Sequence, residues 1–180
     1  MKYLSALDED LRDCIDEGNT LSITGNKCAS AAVLGDITVV DQRGAKVGCY
    51  ASSTFSELFL KDYFDGSHES GQYLMSAFRH YGTQDRLYMS FSGGSLVVQP
   101  LPKDFVKHDK NSREQTEMPQ SSTFNLTHTI LAFSAFGKTH LLGVGREGCI
   151  YTFDISTDAI KIPNKTKLED IDDIYSIQPL

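Results

Sequence analysis

The chain has 180 residues, 40% hydrophobic and 23% charged, the make-up of one globular domain able to bury a core. Seventeen Lys+Arg against 24 Asp+Glu leave a formal charge of -7, which argues against nucleic acid as a main partner, because affinity there comes from cations. No apolar run approaches the ~20 residues of a membrane span.

The N-terminus, MKYLSALDEDLRDCIDEG, carries acids where a signal peptide needs basic and then apolar residues. Its Leu4, Leu7, Leu11 and Ile15 form one helical stripe, with Ser5 as cap and Gly18 as stop, so residues 1–19 are expected to be a helical extension. Cys14, Cys28, Cys49 and Cys149 contain no C-x-x-C pair, which leaves a zinc knuckle or redox dithiol without support. Free thiols and the acidic start imply an intracellular chain, cytoplasmic or nuclear. The sequons at Asn125 and Asn164 are then read as chance.

Next comes a glycine-punctuated stretch, LSITGNKCASAAVLGDITVVD (21–41). A second helix is expected over STFSELFLKDYFDG, with Phe55, Leu58, Phe59 and Tyr63 on one face. It belongs to an insertion spanning 52–71. A second glycine-punctuated stretch, LMSAFRHYGTQDRLYMSFSGGSLVVQPL, occupies 74–101. The polar run KDFVKHDKNSREQTEMPQSS makes 102–122 an exposed loop insertion. A third stretch, ILAFSAFGKTHLLGVGREGCIYTFDI, spans 130–155. The final 163–180, containing KLEDIDDIYSIQPL, is expected to be a helical turn leading into the first strand of another such unit.

The three stretches repeat one pattern. An apolar run ends at Gly25, Gly82 or Gly137, a second run follows, and a second turn comes at Gly35, Gly94 or Gly148. Ile37, Leu96 or Ile150 stands two residues later and opens a third run rich in β-branched and aromatic residues. The glycine pairs are 10, 12 and 11 residues apart. Glycine suits these places because tight hairpins require positive φ.

A β-meander recurring at intervals is the mark of a repeat architecture. Across 20–162 the units resemble blades of a WD-repeat β-propeller, most closely in SAFGKTHLLGVGREGCIYTFDIS, with Phe153-Asp154 and Val40-Asp41 at matching places. The chain departs from that pattern in having no Trp, no Gly-His opening, and Pro100 where an Asp would stand. The resemblance implies an all-β fold with minor helical insertions and a non-catalytic interaction scaffold. Closed propellers have about four to eight blades, so three units imply a ring completed by further chain, a partner or a second copy.

Gly143-Val144-Gly145-Arg146-Glu147-Gly148 spells G-x-G-x-x-G, the pattern of a dinucleotide turn. Such a turn needs a helix behind it, whereas Cys149-Ile150-Tyr151-Thr152-Phe153 has strand composition, so a hairpin is expected. A nucleotide-binding enzyme using Gly143–Gly148 remains the remote alternative. The five histidines lack metal-ligand spacing, the acidic runs read as solvated faces, and Phe91-Ser92-Gly93-Gly94-Ser95 is no nucleophile elbow. Neither catalytic residues, cofactor nor metal are therefore expected. Asp41 and Asp154 are assigned to fixing turns.

Protein partners are expected on the insertions, at Phe55, Phe59, Tyr63, Phe64, Lys103 and Lys107. The competing view of the rings is that they pack onto the sheet. A second fold reading follows from element order alone: helix (4–17), strands (20–50), helix (53–65), strands (86–99). It resembles the α/β modules of the roadblock or longin kind, which act in small-GTPase and trafficking complexes.

Overall fold

The computed structural model describes residues 20–22, 28–42, 46–54, 56–64, 72–82, 84–102, 105, 118–157 and 159–177. The helix expected over 4–17 lies outside them, as do Phe55, Lys103 and Lys107.

Thirteen strands among the described residues form three antiparallel sheets in chain order. The first contains β1 (Thr20–Ser22), β2 (Cys28–Leu34), β3 (Ile37–Gln42), β4 (Lys46–Ala51) and β5 (Glu57–Asp62). The second contains β6 (Leu74–His80), β7 (Arg86–Phe91), β8 (Ser95–Pro100) and β9 (Ser122–Asn125). The third contains β10 (Ile130–Phe136), β11 (His140–Gly145), β12 (Cys149–Asp154) and β13 (Asn164–Lys167). Each strand pairs with the next one along the chain within its sheet, a meander without crossovers. The fold is all-β.

The expected three-strand unit thus gains a fourth strand, and in the first sheet a fifth. The central strands follow from composition. Along β7 and β8 every residue is buried, as befits strands covered on both faces, which carry continuous apolar runs instead of alternation. The turn between the second and third strands of each sheet holds a glycine at positive φ: Gly35 at 69°, Gly94 at 84° and Gly148 at 66°.

The helix expected over 53–65 is corrected to strand β5. Its chain pairs with β4, setting Lys46 opposite Asp62 and Cys49 opposite Phe59. Opposite charges across a strand pair are favourable, and Phe59 buries its ring against Phe105 at 5.9 Å. The helical spacing of Phe55, Leu58, Phe59 and Tyr63 therefore had no helix behind it, and the roadblock or longin element order loses its second helix. The C-terminal residues 168–177 contain neither helix nor strand.

The chain divides into two compact units: Met1–Leu74 with Asp104–Glu117, and Met75–Lys103 with Met118–Leu180. In the first, Ile37, Val39, Val40, Val47 and Cys49 are fully buried. Asp41 ends this buried run and is only 1% exposed, with its Oδ2 accepting the main-chain N–H of Leu74 at 2.8 Å. It thus spans 33 residues instead of fixing a local turn. Asp154 does fix one, accepting the Ser156 N–H at 3.0 Å.

In the second unit the second and third sheets share one apolar core. Tyr88, Leu96 and Val98 meet Ile130, Leu141, Tyr151 and Phe153 there. Phe78, Tyr88, Phe133 and Phe153 supply a ring cluster with centroids 5.7 to 6.5 Å apart, Tyr88 and Phe153 edge-on. Polar bonds set the register between these sheets. Ser76 Oγ donates to the Ile130 carbonyl at 2.8 Å, and the Ile130 N–H donates to Ser90 Oγ at 3.1 Å.

Candidate functional site

The G-x-G-x-x-G letters occupy β11 and the turn into β12. A short 3-10 turn covers Arg146–Gly148, and strand β12 begins at Cys149, so no helix N-terminus faces these glycines. Two of the glycines answer to packing. A Cβ at Gly145 would collide with the Thr129 carbonyl, and a Cβ at Gly148 would lie 2.8 Å from the carbonyl oxygens of both Leu168 and Ile171. Residues 168–174 cross this turn: the Leu168 N–H donates to Gly148 O at 3.0 Å, the Gly148 N–H to Asp172 O, and the Ile174 N–H to Gly145 O at 2.9 Å. Residues 168–174 of the C-terminal segment thus lie along the β11–β12 turn.

Beside that turn stands a polar network with no counterpart in the sequence reading. His128, in the β9–β10 connection, places Nε2 3.0 Å from Glu147 Oε2 and Nδ1 3.3 Å from Cys149 Sγ. Lys165 Nζ reaches Thr127 Oγ1 at 2.6 Å and His128 Nδ1 at 3.2 Å, and Lys167 Nζ reaches Glu147 at 3.4 Å. The hydrogen bond from His128, and after it that from Lys167, holds the Glu147 carboxyl below the usual carboxylate range. A thiol, an imidazole and a carboxylate in line have the letters of a nucleophile relay, yet the Cys149 side chain is fully buried. Reactive thiols stand partly exposed, so this network clamps the β9–β10 and β11–β12 turns and β13. Among the described residues no group of three His, Cys, Asp or Glu side chains is placed to hold a metal.

The expected partner-binding residues divide. Phe59 is buried. Tyr63 and Phe64, past the end of β5, are half-buried. Lys61 Nζ lies 5.1 Å from the Tyr63 ring centroid, and burial, with a smaller contribution from Cys49, pushes the Tyr63 hydroxyl well above the ordinary tyrosine range.

The third sheet has two unlike faces. Side chains of directly paired residues share a face, and successive residues alternate. Leu141 pairs with Phe153 and Gly143 with Tyr151, on the face packed against the second sheet. Leu142 pairs with Thr152, Val144 with Ile150, and Ala132 with Val144, on the opposite face. There Ala132, Leu142, Ile150 and Thr152 are half-buried, whereas Val144 is buried. Among the described residues, no helix is long and apolar enough to cross a membrane.

No protein-family model matches the chain, and no curated protein matches it. Among solved structures it is similar to the WD40 domain of SCAP from fission yeast, with a TM-score of 0.50 and 11% sequence identity. The match covers 73% of this chain and 31% of that one, so the chain spans about a third of its length. Three antiparallel meanders turned at equivalent glycines, two of them stacked within one unit, together with this likeness, give the chain an all-β fold of the propeller type, with a partial set of blade-like sheets.

Proposed function

We propose that the chain is a non-catalytic protein-interaction scaffold, a propeller-type subunit or segment of a larger intracellular assembly. The observation that carries this reading is the partly exposed apolar face of the third sheet, where Val144 is buried but Leu142 and Ile150 are only half-buried. Leu142 and Ile150 lie opposite a face that is fully packed, and a propeller blade has a neighbour on each side. Another β-sheet seated on Leu142 and Ile150, from further chain or from a partner, would give this face what the second sheet gives the other. In the first unit, Tyr63 and Phe64 are a further proposed contact, beside the edge strand β5. The buried thiols of Cys49 and Cys149 are compatible with a reducing cytoplasm or nucleus.

The test replaces Leu142 or Ile150 by Glu and compares partners retained on purification from the native host. Loss of a stoichiometric partner in both variants, with an unchanged circular dichroism spectrum, supports the scaffold reading. Retention of every partner by both variants rejects the open face as the contact.

A further inference from the structure

The β11–β12 turn is covered by a strap of chain that belongs to no sheet. The strap gives the turn two N–H groups, from Leu168 to Gly148 O and from Ile174 to Gly145 O. The turn returns two, from Gly148 to the Asp172 carbonyl and from Glu147 to Asp173 Oδ1 at 3.1 Å. On the turn's side every one of these bonds uses the main chain.

Asp173 is the side chain of the strap that reads the turn. Its Oδ1 takes the N–H of Glu147, a residue held at φ 55°, and its Oδ2 accepts the Tyr175 hydroxyl at 3.2 Å. Tyr175 thus orients the carboxylate while 72% of the residue stays in solvent. Asp173, Ile174 and Tyr175 therefore make a short recognition sequence: an acid for the turn's N–H, a main-chain N–H for the Gly145 carbonyl, and a phenol that fixes the acid.

The two sides of this contact are held with unequal firmness. Gly145, Gly148 and Cys149 are buried, the Arg146 N–H donates to the Thr129 carbonyl at 3.3 Å, and Glu147 is bonded to His128 and Lys167. In the strap, Glu169, Asp170, Ile171 and Asp172 are all exposed, and Asp170 takes a φ of 60°, which costs any residue with a Cβ. Segments that bury so little open locally at far less cost than global unfolding. A lifted strap would leave a preformed turn offering the N–H groups of Glu147 and Gly148 and the carbonyls of Gly145 and Gly148 to another extended chain.

We infer that residues 168–175 are an exchangeable internal ligand: they occupy a docking surface on the β11–β12 turn and yield it to an extended partner segment carrying the same Asp-x-Tyr sequence. The seated strap defines the occupant, because it shows which groups the turn accepts. It also sets a threshold, since the partner's affinity falls by the fraction of molecules whose turn is open. The inference rests on the interaction-scaffold reading but uses a surface distinct from Leu142 and Ile150.

The experiment uses the full chain and a fluorescent peptide with the sequence of Leu168–Ser176, LEDIDDIYS. Ile174→Pro in the chain removes the N–H that reaches Gly145 and frees the strap; where its circular dichroism spectrum departs from wild type, Asp173→Ala in the chain takes its place. Anisotropy should show the peptide binding the freed chain at least tenfold more tightly than the wild type. Asp173→Ala in the peptide should weaken that binding about tenfold, and Gly148→Ala added to the freed chain should abolish it. In the wild type, amide exchange at Glu147 and Gly148 should run at least tenfold faster than in the buried strand β7. Neither readout involves Leu142 or Ile150, so failure of the strap and failure of the open sheet face are separable. Equal peptide affinity of wild-type and freed chains, absence of binding to both included, overturns the inference. So does indifference to Asp173→Ala in the peptide, or exchange at Gly148 as slow as in β7.

Discussion

Asp41 Oδ2 accepts the main-chain N–H of Leu74 at 2.8 Å, joining two residues of the first unit that lie 33 positions apart. Burial raises this carboxyl from 3.8 to about 6, more than the Leu74 N–H lowers it. A folded value above the unfolded one means that the neutral acid is the form the fold prefers. Its stabilising effect is fully present below pH about 4 and is lost as the pH rises through about 6. The gap corresponds to about 3 kcal/mol. Urea unfolding of the wild type is expected to show this loss between pH 4 and 7, and Asp41→Asn, which cannot ionise, should flatten the profile. An equally steep profile in Asp41→Asn would assign the dependence to other groups.

Gly148 and Gly137 separate backbone conformation from crowding. Both have positive φ, 66° and 64°, but a Cβ meets two carbonyls at Gly148 and nothing within 4 Å at Gly137. Gly137→Ala should cost about 1 kcal/mol, the conformational price alone. Gly148→Ala should cost about 3 kcal/mol, because residues 168–174 must also leave the turn. Limited proteolysis should then cut the C-terminal segment faster in Gly148→Ala only.

Phe153 stands edge-on to Tyr88 at 5.7 Å and is buried in the core shared by the second and third sheets. Phe153→Ala is expected to cost about 3–5 kcal/mol, and Phe153→Leu about 1.5 kcal/mol or less. Denaturation can be followed by tyrosine fluorescence, since the chain contains no Trp, and a loss confined to this unit appears as a separate first transition, because Tyr50, Tyr63 and Tyr73 belong to the first unit. Nearly equal midpoints for the two variants would mean that the ring cluster contributes little.

Glu147 should titrate below the ordinary carboxylate range. His128→Ala should move it back further than Lys167→Ala does, because the imidazole is the stronger influence. Carbon-detected NMR of the side-chain carboxyl follows this directly. An ordinary Glu147 in the wild type would show that the clamp between the two turns does not form in solution.

Much of the meander was legible in the chain. Gly35, Gly94 and Gly148 could be assigned to turns because positive φ is a local demand that glycine meets without strain, and the dense apolar runs of β7 and β8 announce strands covered on both sides. The same reasoning read Gly143–Gly148 as a hairpin, since the composition of Cys149–Asp154 is local too.

The outer strands were not legible. β13 is Asn164–Lys167 with every residue exposed, and an edge strand that buries no face needs no alternation to mark it. β5 carried a helical spacing by chance, and its state was decided by the backbone hydrogen bonds that β4 offered and by the burial of Phe59 against Phe105. His128 has no neighbour in sequence that reveals its bond to Glu147 nineteen residues away. Local conformational preference and apolar density are written residue by residue, so the sequence alone determined the turns, the inner strands and the all-β class. Which edge pairs with which strand and which sheet face is covered depend on contacts between distant segments, and only the tertiary structure decided those.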